Sequence, residues 1–584
     1  MTTSDTEPRQ IVLLCDGTNN NLTGQHKDTN VVKLCTLLAA DPDPQRLVFY
    51  DPGVGNPGEL PGATTWDQFR RTLDRVSGLA FGRGVYENMV ESYLFLMRHY
   101  RPGDQIFIFG FSRGAFTARS VAGLVNLFGI LRPHMESMVP TLLHVYFADR
   151  SNSPQWQAIC EQTSRLFTDD DARHVDIHFV GVWDTVASVG MPPFSAKFTA
   201  LPRPEGKCFV HIRQAMALDE HRSQFKPRLY ARDNGPFQTR SGREGSLVQL
   251  WFPGAHCNVG GGYDAQASAL SDQALAWLVS EAVSVGLRVT RQGAPEAGEA
   301  EVHRRLAAAY RAAPHRPLTV GSELQRTPLW ALTGMSVRET DRVVMDDRTT
   351  VMLRPEAHAS VTSQNLGFAT SSPWATARTP GYVWITMLLI PVFMLALGQL
   401  LHGAPATGAF TGDVAAAWQS MAAYLHSNNE FQRWQLTGWL GADWQGSPYS
   451  FASPRWALVW DLALIACYAT ALSWFAARAF GRLAGLRRAG LGPRPWLNRL
   501  GWALPVMVMA DVGEDVFSWL AITLGENDVV VLARLAHVLA AVLCLAKFVG
   551  LFGVVVLIGA GSLPLRPPDT QAAGTRTPPK DPSR

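Results

Sequence analysis

Residues 106–119 read IFIFGFSRGAFTAR, an apolar run that passes through Gly-x-Ser-x-Gly into a helical pattern. A strand, then Ser112 between Gly110 and Gly114, then a helix is the order found in the nucleophile elbow of α/β-hydrolases. The serine of such an elbow occupies a tight, strained turn, and glycines are needed where a Cβ would meet the strand or the helix. The motif therefore predicts that Ser112 is a nucleophile at the carboxyl end of a strand.

The sequence around this motif alternates between strand and helix patterns up to about residue 380. We predict buried strands at Ile11–Leu14, Leu47–Tyr50, Ile106–Phe109, Ile177–Val182 and Leu247–Phe252. We predict helices at Val85–Tyr100, Ala115–Phe128 and Asp272–Val285. Such alternation indicates an α/β fold with a parallel sheet covered by helices on both faces.

A serine needs a general base, and in α/β-hydrolases the chain order is serine, acid, histidine. Asp184 lies at the end of the predicted strand Val175–Trp183 and is the candidate acid, with Asp219 as the competing candidate. His256 lies in a glycine-rich segment directly after the predicted strand Leu247–Phe252, and it is the candidate base. The carboxyl ends of parallel strands meet at one edge of a sheet, so these side chains are expected to converge.

An ester hydrolase of this type also needs N–H donors for the developing oxyanion. The backbone N–H of Arg113 is one candidate, because it begins the helix after Ser112. The second is expected from Gly17 or Thr18, which follow the first predicted strand. An ordinary Asp-Gly turn is the alternative interpretation of residues 16 and 17.

Composition excludes several classes of protein. Of the 584 residues, 47% are hydrophobic and 17% are charged, and the net charge is +3. Average soluble chains carry about 25% charged residues, so part of this chain is expected in lipid. The mild charge does not indicate a nucleic-acid partner. The seven cysteines form no CxxC pair, so no zinc site is predicted, and the chemistry requires no metal or organic cofactor.

The sequence becomes strongly apolar after residue 380. We predict membrane spans at Gly381–Leu401, Trp456–Ala477, Trp502–Leu524 and Leu535–Ile558, each about long enough for a hydrocarbon core of ~30 Å. The segment Arg478–Arg499 holds six arginines and no acid, which places it in the cytoplasm by the positive-inside rule. Four spans of a bacterial inner membrane satisfy this pattern, with both termini and the catalytic domain in the cytoplasm.

The third predicted span is ambiguous. Asp511, Glu514 and Asp515 lie within it, and acids in a span are costly unless they are paired or face water. They are either partners for Arg534 and Lys547 along a polar path, or part of an amphipathic segment on the membrane surface.

Four regions follow from these patterns. Residues 1–290 are predicted to form a catalytic α/β-hydrolase domain, and residues 291–378 to form peripheral elements and a linker. Residues 379–562 are predicted as a transmembrane helical region, and residues 563–584 as a disordered basic tail.

Several motifs together resemble the type VI secretion lipase-effector catalytic domain family over roughly residues 10–290. The motifs are Cys15–Asn20, Tyr50–Gly55, Arg101–Asp104, Gly110–Arg119, Val182–Val186, Ala217–Arg222 and Trp251–Tyr263. The resemblance implies an α/β-hydrolase-like fold and a Ser-Asp-His triad at Ser112, Asp184 and His256. It also implies a phospholipase secreted against rival cells, with an immunity protein or a secretion spike as partner.

The sequence thus leads to one expectation and one alternative. The expectation is a serine hydrolase that cleaves ester bonds of membrane phospholipids without a cofactor, and that is embedded in a bilayer through its C-terminal half. It acts either as an effector delivered to a target cell or as a resident enzyme of its own membrane. The alternative is a multi-span channel or transport module that the hydrolase-like domain regulates.

Overall fold

The computed structural model describes most of the N-terminal half of the chain and a set of C-terminal helices. The described residues are 8–17, 28–40, 42–53, 79–147, 154–186, 203–263, 269–289, 329–336, 338, 343–344, 350–351, 356–357, 379, 381–402, 454–488, 495–527 and 529–562. They form two compact units. The first comprises residues 1–316 and 338–365, and the second comprises residues 317–337 and 366–584. The four regions predicted above stay a prediction.

The first unit alternates between strands and helices. Its strands are β1 (Gln10–Cys15), β2 (Arg46–Asp51), β3 (Gln105–Phe111), β4 (Ile177–Trp183), β5 (Phe209–Ala217), β6 (Gly235–Gln238), β7 (Glu244–Phe252), β8 (Val343–Val344), β9 (Thr350–Val351) and β10 (Glu356–Ala357). Its α-helices are α1 (Asn30–Ala39), α2 (Leu79–His99), α3 (Arg113–Phe128), α4 (Val139–Phe147), α5 (Pro154–Phe167), α6 (Asp170–Arg173), α7 (His256–Gly260) and α8 (Ala269–Ser284).

The central sheet is mostly parallel. Its strand order is β10-β7-β5-β4-β3-β1-β2, and β6 pairs antiparallel with β7 at the side of this path. The pairs from β2 through β1, β3, β4 and β5 to β7 are all parallel. The ends of β3, β4 and β7 therefore lie along one edge of the sheet. This edge is where the sequence placed its candidate site residues.

Side chains alternate between two cores, one on each face of the sheet. Ile11 and Leu13 of β1 pack with residues of α2 and α3, such as Tyr93. Val12 and Leu14 pack on the other face with residues of α1 and α8. Burial on both faces requires apolar residues at successive positions, because neighbouring side chains of a strand point to opposite sides. The α/β fold with helices on both faces is thereby confirmed.

The second unit is helical in its described part. Its α-helices are α9 (Gly381–His402), α10 (Pro454–Arg488), α11 (Pro495–Leu500), α12 (Ala503–Glu526) and α13 (Val530–Ser562). Two stretches, Leu458–Ala484 within α10 and Val530–Ser562, are long and apolar enough to cross a membrane. The other two predicted spans coincide with α9 and α12, but length and composition do not single these out. The four-span topology therefore stays a prediction.

The acids of α12 face a lysine. Lys547 Nζ of α13 lies 3.0 Å from Asp511 Oδ1 and 2.6 Å from Glu514 Oε2. The hydroxyl of Tyr468, on α10, donates a hydrogen bond to Asp511. Arg534, the other predicted partner, is exposed. The helices of this unit thus bury a charged cluster.

Candidate active site

Ser112 occupies a strained turn between β3 and α3. Its φ of 58° and ψ of −120° lie outside the common regions for a residue with a side chain. An added Cβ at Gly114 would lie 2.2 Å from the carbonyl oxygen of Cys15, and one at Gly110 would lie 2.5 Å from that of Gly114. Only glycines therefore let the helix pack this closely on the strands, which explains the two glycines of the motif.

Three side chains from distant parts of the sequence form a continuous hydrogen-bond relay. Ser112 Oγ lies 2.7 Å from His256 Nε2, and His256 Nδ1 lies 2.6 Å from Asp184 Oδ2. Ser112 is 8% exposed, His256 3% and Asp184 0%. The structure thus brings together all three residues that the sequence selected as nucleophile, base and acid. The exposure decreases along the relay, so the serine is the end nearest to solvent.

Asp184 is held by groups on both of its oxygens. Its φ is 39°, and within the described part of the chain it shares a positive φ with only one other non-glycine residue, Ser112. Its Oδ1 accepts the Ala217 N–H at 2.9 Å. Arg338 donates to both oxygens, with Nη1 at 2.5 Å from Oδ1 and Nη2 at 2.9 Å from Oδ2. Backbone strain of this kind concentrates at functional sites.

The segment after β5 anchors the loop that carries His256. The Asp219 N–H donates to the carbonyl oxygen of Gly254 at 2.8 Å, and the Gly254 N–H donates to Asp219 Oδ2 at 2.6 Å. Glu220 Oε2 accepts the backbone N–H of His256 at 3.2 Å and is paired with Arg222 at 2.8 Å. Asp219, the competing candidate acid, therefore positions the loop, whereas Asp184 contacts the imidazole.

Aromatic rings fix the plane of the imidazole. Phe111 lies against it with ring centroids 4.6 Å apart, and Phe225 meets it edge-on at 4.9 Å. The side chain of Asn258 accepts the Ala255 N–H at 3.0 Å and so closes the first turn of α7, which begins at His256. The ring therefore has little freedom to leave Ser112.

The charges around the relay favour a neutral base beside an ionised acid. Burial by itself would raise the pKa of Asp184, but Arg338 and His256 outweigh it and hold that pKa below its usual value. Burial lowers the pKa of His256, and the opposing effect of Asp184 does not fully compensate. Burial also works against the charge of Glu220, yet Arg222 keeps its pKa well below the usual range. A neutral imidazole accepts a proton, as a general base must.

The predicted oxyanion donors differ in their surroundings. Arg113 begins α3 directly after Ser112, where N–H groups have no acceptor within the helix. The Gly17 N–H instead donates to Asp16 Oδ1 at 2.6 Å. Its role as an oxyanion donor is therefore not supported, because the Asp16 carboxylate already uses this N–H. Thr18, the alternative, lies outside the described residues.

The sequence patterns did not identify two parts of the site. Arg338 comes from the region interpreted as a linker, where no periodicity singles it out. Glu220 and Arg222 lie in Ala217–Arg222, a motif that carried the family resemblance without an assigned role. The signal that could have found the Glu220–Arg222 pair is the position of this motif directly after a strand. No group of three or more His, Cys, Asp or Glu side chains in the described ranges is arranged to hold a metal ion.

A mostly apolar cavity of about 430 Å³ lies between α2 and α4. Its lining combines five apolar or aromatic residues with three ionisable ones: Tyr86, Val90, Pro140, Leu143 and Phe147 with Glu87, Glu91 and His144. The Phe147 ring stacks on Phe116, with centroids 6.5 Å apart, and the Phe116 N–H donates to the carbonyl oxygen of Ser112 at 3.3 Å. Phe116 thus lies between Phe147 of the cavity lining and the Ser112 turn.

Two comparisons with known proteins found matches to part of this chain. An uncharacterized protein of Saccharomyces cerevisiae, YEL023C, is 32% identical to the chain over 229 residues, which is 37% of this chain and 32% of the yeast protein. The chain thus spans about a third of the length of that relative. No solved structure matches the chain significantly. The family model for the T6SS phospholipase effector Tle1-like catalytic domain matches residues 9–281. Residues 9–281 of this chain are therefore similar to the catalytic domain of the T6SS phospholipase effector Tle1-like family.

Proposed function

We propose that this protein is a serine hydrolase that cleaves carboxylic ester bonds of membrane phospholipids. The observation that carries the proposal is the buried relay from Ser112 Oγ through His256 to Asp184, with distances of 2.7 and 2.6 Å. The positive φ of Ser112 at the strand-to-helix turn is the geometry of a nucleophile elbow. A structural serine needs neither this strain nor a buried histidine–aspartate pair behind it.

The relay assigns a role to each side chain. Nε2 of neutral His256 takes the proton of Ser112 while Oγ attacks the ester carbonyl carbon, which gives a tetrahedral oxyanion. When the bond to the alcohol breaks, His256 returns the proton to the leaving oxygen and an acyl-serine remains. Water then attacks the acyl carbon with His256 as base, and the fatty acid and free Ser112 are released. Asp184 holds the imidazole in the required tautomer and stabilises its charge.

The oxyanion is assigned to the N-terminus of α3. The Arg113 N–H is the proposed first donor, because Arg113 begins α3 directly after Ser112 and the positive end of the helix dipole favours negative charge there. Thr18 stays the proposed second donor. One such donor contributes about 10²–10³-fold to kcat in related chemistry.

Three observations support a phospholipid as the substrate class. The matching family is described as phospholipase effectors. The mostly apolar cavity of about 430 Å³ between α2 and α4 falls within the usual size of small-molecule sites, ~300–1,000 Å³, and its apolar side suits an acyl chain. Two helices of the second unit are candidate membrane spans. A lipid hydrolase with its own membrane segments works at the surface that holds its substrate.

We place the protein in a bacterial inner membrane with a cytoplasmic catalytic domain. The arginine-rich segment Arg478–Arg499 supports a cytoplasmic location for that loop. This orientation favours a resident enzyme over an effector delivered to another cell. Under effector delivery, an immunity protein or a secretion spike would be the partner, and a co-purification from the native cell distinguishes the two settings.

Hydrolysis of vesicles tests the proposal. The full-length protein is reconstituted in phosphatidylethanolamine and phosphatidylglycerol vesicles, and released fatty acid is quantified by mass spectrometry. Ser112→Ala is expected to lower the rate to background. Ser120→Ala, which removes a buried hydroxyl from the same helix, serves as the matched control and keeps the wild-type rate. An equal rate for Ser112→Ala and the wild-type protein contradicts the proposal.

A transport module is the second candidate, and the charged cluster of the second unit favours it. Lys547 pairs with Asp511 and Glu514, and Asp515 adds a carboxylate that is 5% exposed. Ionisable side chains inside membrane helices commonly mark ion or proton paths. Proton and sodium flux is measured in vesicles with Ser112→Ala, which separates transport from hydrolysis. Flux that Lys547→Met abolishes supports transport, and impermeable vesicles exclude it.

A further inference from the structure

Arg338 contacts the acid of the relay from outside the family domain. The matched domain ends at residue 281, yet Arg338 is 7% exposed and makes four hydrogen bonds at this site. Two go to Asp184, at 2.5 and 2.9 Å. The others go to the carbonyl oxygens of Ala217, at 2.7 Å, and Phe225, at 2.6 Å. Arg338 thus joins the ends of β4 and β5 to a segment that follows the matched domain.

The geometry is a planar fork on a planar carboxylate. Both terminal nitrogens of Arg338 meet both oxygens of Asp184, which fixes the plane of the carboxylate as well as its position. Oδ2 accepts from Arg338 and from His256 Nδ1, while Oδ1 accepts from Arg338 and the Ala217 N–H. A rotation of the carboxylate would therefore break its bonds to Arg338 as well as its bond to the imidazole.

Arg338 also compensates the buried negative charge of Asp184. Asp184 is 0% exposed, and a buried carboxylate is strongly disfavoured unless a positive charge and hydrogen bonds compensate it. His256 cannot supply that charge before the reaction, because a general base must be neutral. Arg338 supplies it instead and keeps Asp184 ionised while the imidazole is uncharged.

We propose that Arg338 is a positioning residue of the hydrolytic site, which orients Asp184 against His256 and sets how readily His256 takes up a proton. This inference rests on the proposed serine-hydrolase function. Without the guanidinium, no positive charge of Arg338 offsets the negative charge of Asp184. The carboxylate then stabilises the imidazolium form of His256 more strongly. The site then needs a higher pH to hold a neutral base. It also loses the fork that aligns the carboxylate.

Other groups around His256 set the background for this effect. Ser112 faces Nε2 and Asp184 faces Nδ1, while the Glu220–Arg222 pair, after β5, contributes one negative and one positive charge near the ring. Because Glu220 and Arg222 are both retained, a change at residue 338 alters one charge only.

The test compares pH profiles of kcat/KM for three full-length variants on a short-chain ester. Arg338→Met is expected to lower kcat by about 100-fold through misplacement of the base. It is also expected to move the acidic limb upward by about one pH unit through loss of a nearby positive charge. Arg338→Lys keeps the charge but not the fork, so its kcat falls while the acidic limb stays at the wild-type pH. Arg240→Met removes a guanidinium that binds Asn126, and it is expected to match the wild-type protein.

The outcomes separate this inference from the proposed function. Wild-type kcat and an unchanged limb in Arg338→Met overturn it, and so does a lower kcat in both Arg338 variants without any movement of the limb. If Arg338→Met does not fold, as judged by circular dichroism, Arg338→Lys decides: a wild-type kcat overturns the inference. Absence of ester hydrolysis by the wild-type protein, or full activity of Ser112→Ala, would instead contradict the proposed function.

Discussion

Gly114→Ala tests how closely the Ser112 turn depends on backbone packing. Gly114 is the second residue of α3, and its missing side chain lets the helix approach the end of β1. An added Cβ would lie 2.2 Å from the Cys15 carbonyl oxygen and 2.4 Å from that of Asp16. Both obstacles are backbone atoms, which have no rotamer with which to move aside. The start of the helix must therefore shift.

The size of the shift follows from these distances. Real Cβ atoms essentially never approach another atom within 3.0 Å, so the contact at 2.2 Å requires a displacement of at least 0.8 Å. If it lies along the line between the two atoms, a displacement of this size lengthens the Ser112 Oγ to His256 Nε2 distance from 2.7 Å to about 3.5 Å, the outer limit of a hydrogen bond. Misplacement of a reacting group by about 1 Å costs roughly 100-fold in rate, and overpacking costs about 1–3 kcal/mol in stability.

The assay is steady-state hydrolysis of a short-chain ester, together with thermal unfolding. Gly114→Ala is expected to lower kcat by about 100-fold while much of the folded state is retained. Gly123→Ala, on the same helix, is the matched control: its Cβ would also make a close contact, at 2.5 Å, but with the hydroxyl oxygen at the end of the Tyr146 side chain instead of with backbone atoms. A Gly114→Ala variant with wild-type kcat would refute the claim that the turn holds Ser112 in its reactive position.

Three further predictions follow from the site. Asp184→Asn should lower the free energy of unfolding of the first unit by about 3–5 kcal/mol, because it leaves the buried Arg338 without its counter-charge. Hydrogen exchange of β4 peptides checks this, and it should be slower in the double variant Asp184→Asn/Arg338→Met than in Asp184→Asn alone. Since the pKa of His256 is lowered, the neutral base persists below pH 6.5, and the acidic limb of kcat/KM should lie below that value; a limb above it contradicts the described environment. Val90→Trp should fill part of the cavity between α2 and α4 and so slow the hydrolysis of long-chain relative to short-chain esters. The expected loss is about fourfold per excluded methylene, at ~0.8 kcal/mol each. Equal chain-length profiles of Val90→Trp and the wild-type protein would show that the acyl chain lies elsewhere.

The sequence reveals the relay because parallel sheets impose strong geometric rules. Ser112, Asp184 and His256 each follow a strand, and parallel strands bring those ends to one edge. The strand patterns located β1, β2, β3, β4 and β7 to within a few residues. Strand β5 is missing from the predicted buried strands because Arg213 and Gln214 interrupt its apolar run, although both are buried.

What escapes prediction depends on individual contacts. The direction of the Gly17 N–H is set by the Asp16 carboxylate, and no pattern of residue types encodes that choice. Arg338 is one of many arginines in the sequence, and only the folded chain brings it within 2.5 Å of Asp184. In the second unit, hydropathy located the four long helices, but it does not determine which of them cross a membrane.

The central claim is that Ser112 is a nucleophile activated by His256, and covalent labelling tests it most directly. The full-length protein is treated with a fluorophosphonate probe, and the modified peptide is identified by mass spectrometry. We predict one adduct on the Oγ of Ser112, formed far more slowly in His256→Ala and absent after heat denaturation. An unlabelled Ser112, or a rate of labelling that is unchanged in His256→Ala, would contradict it.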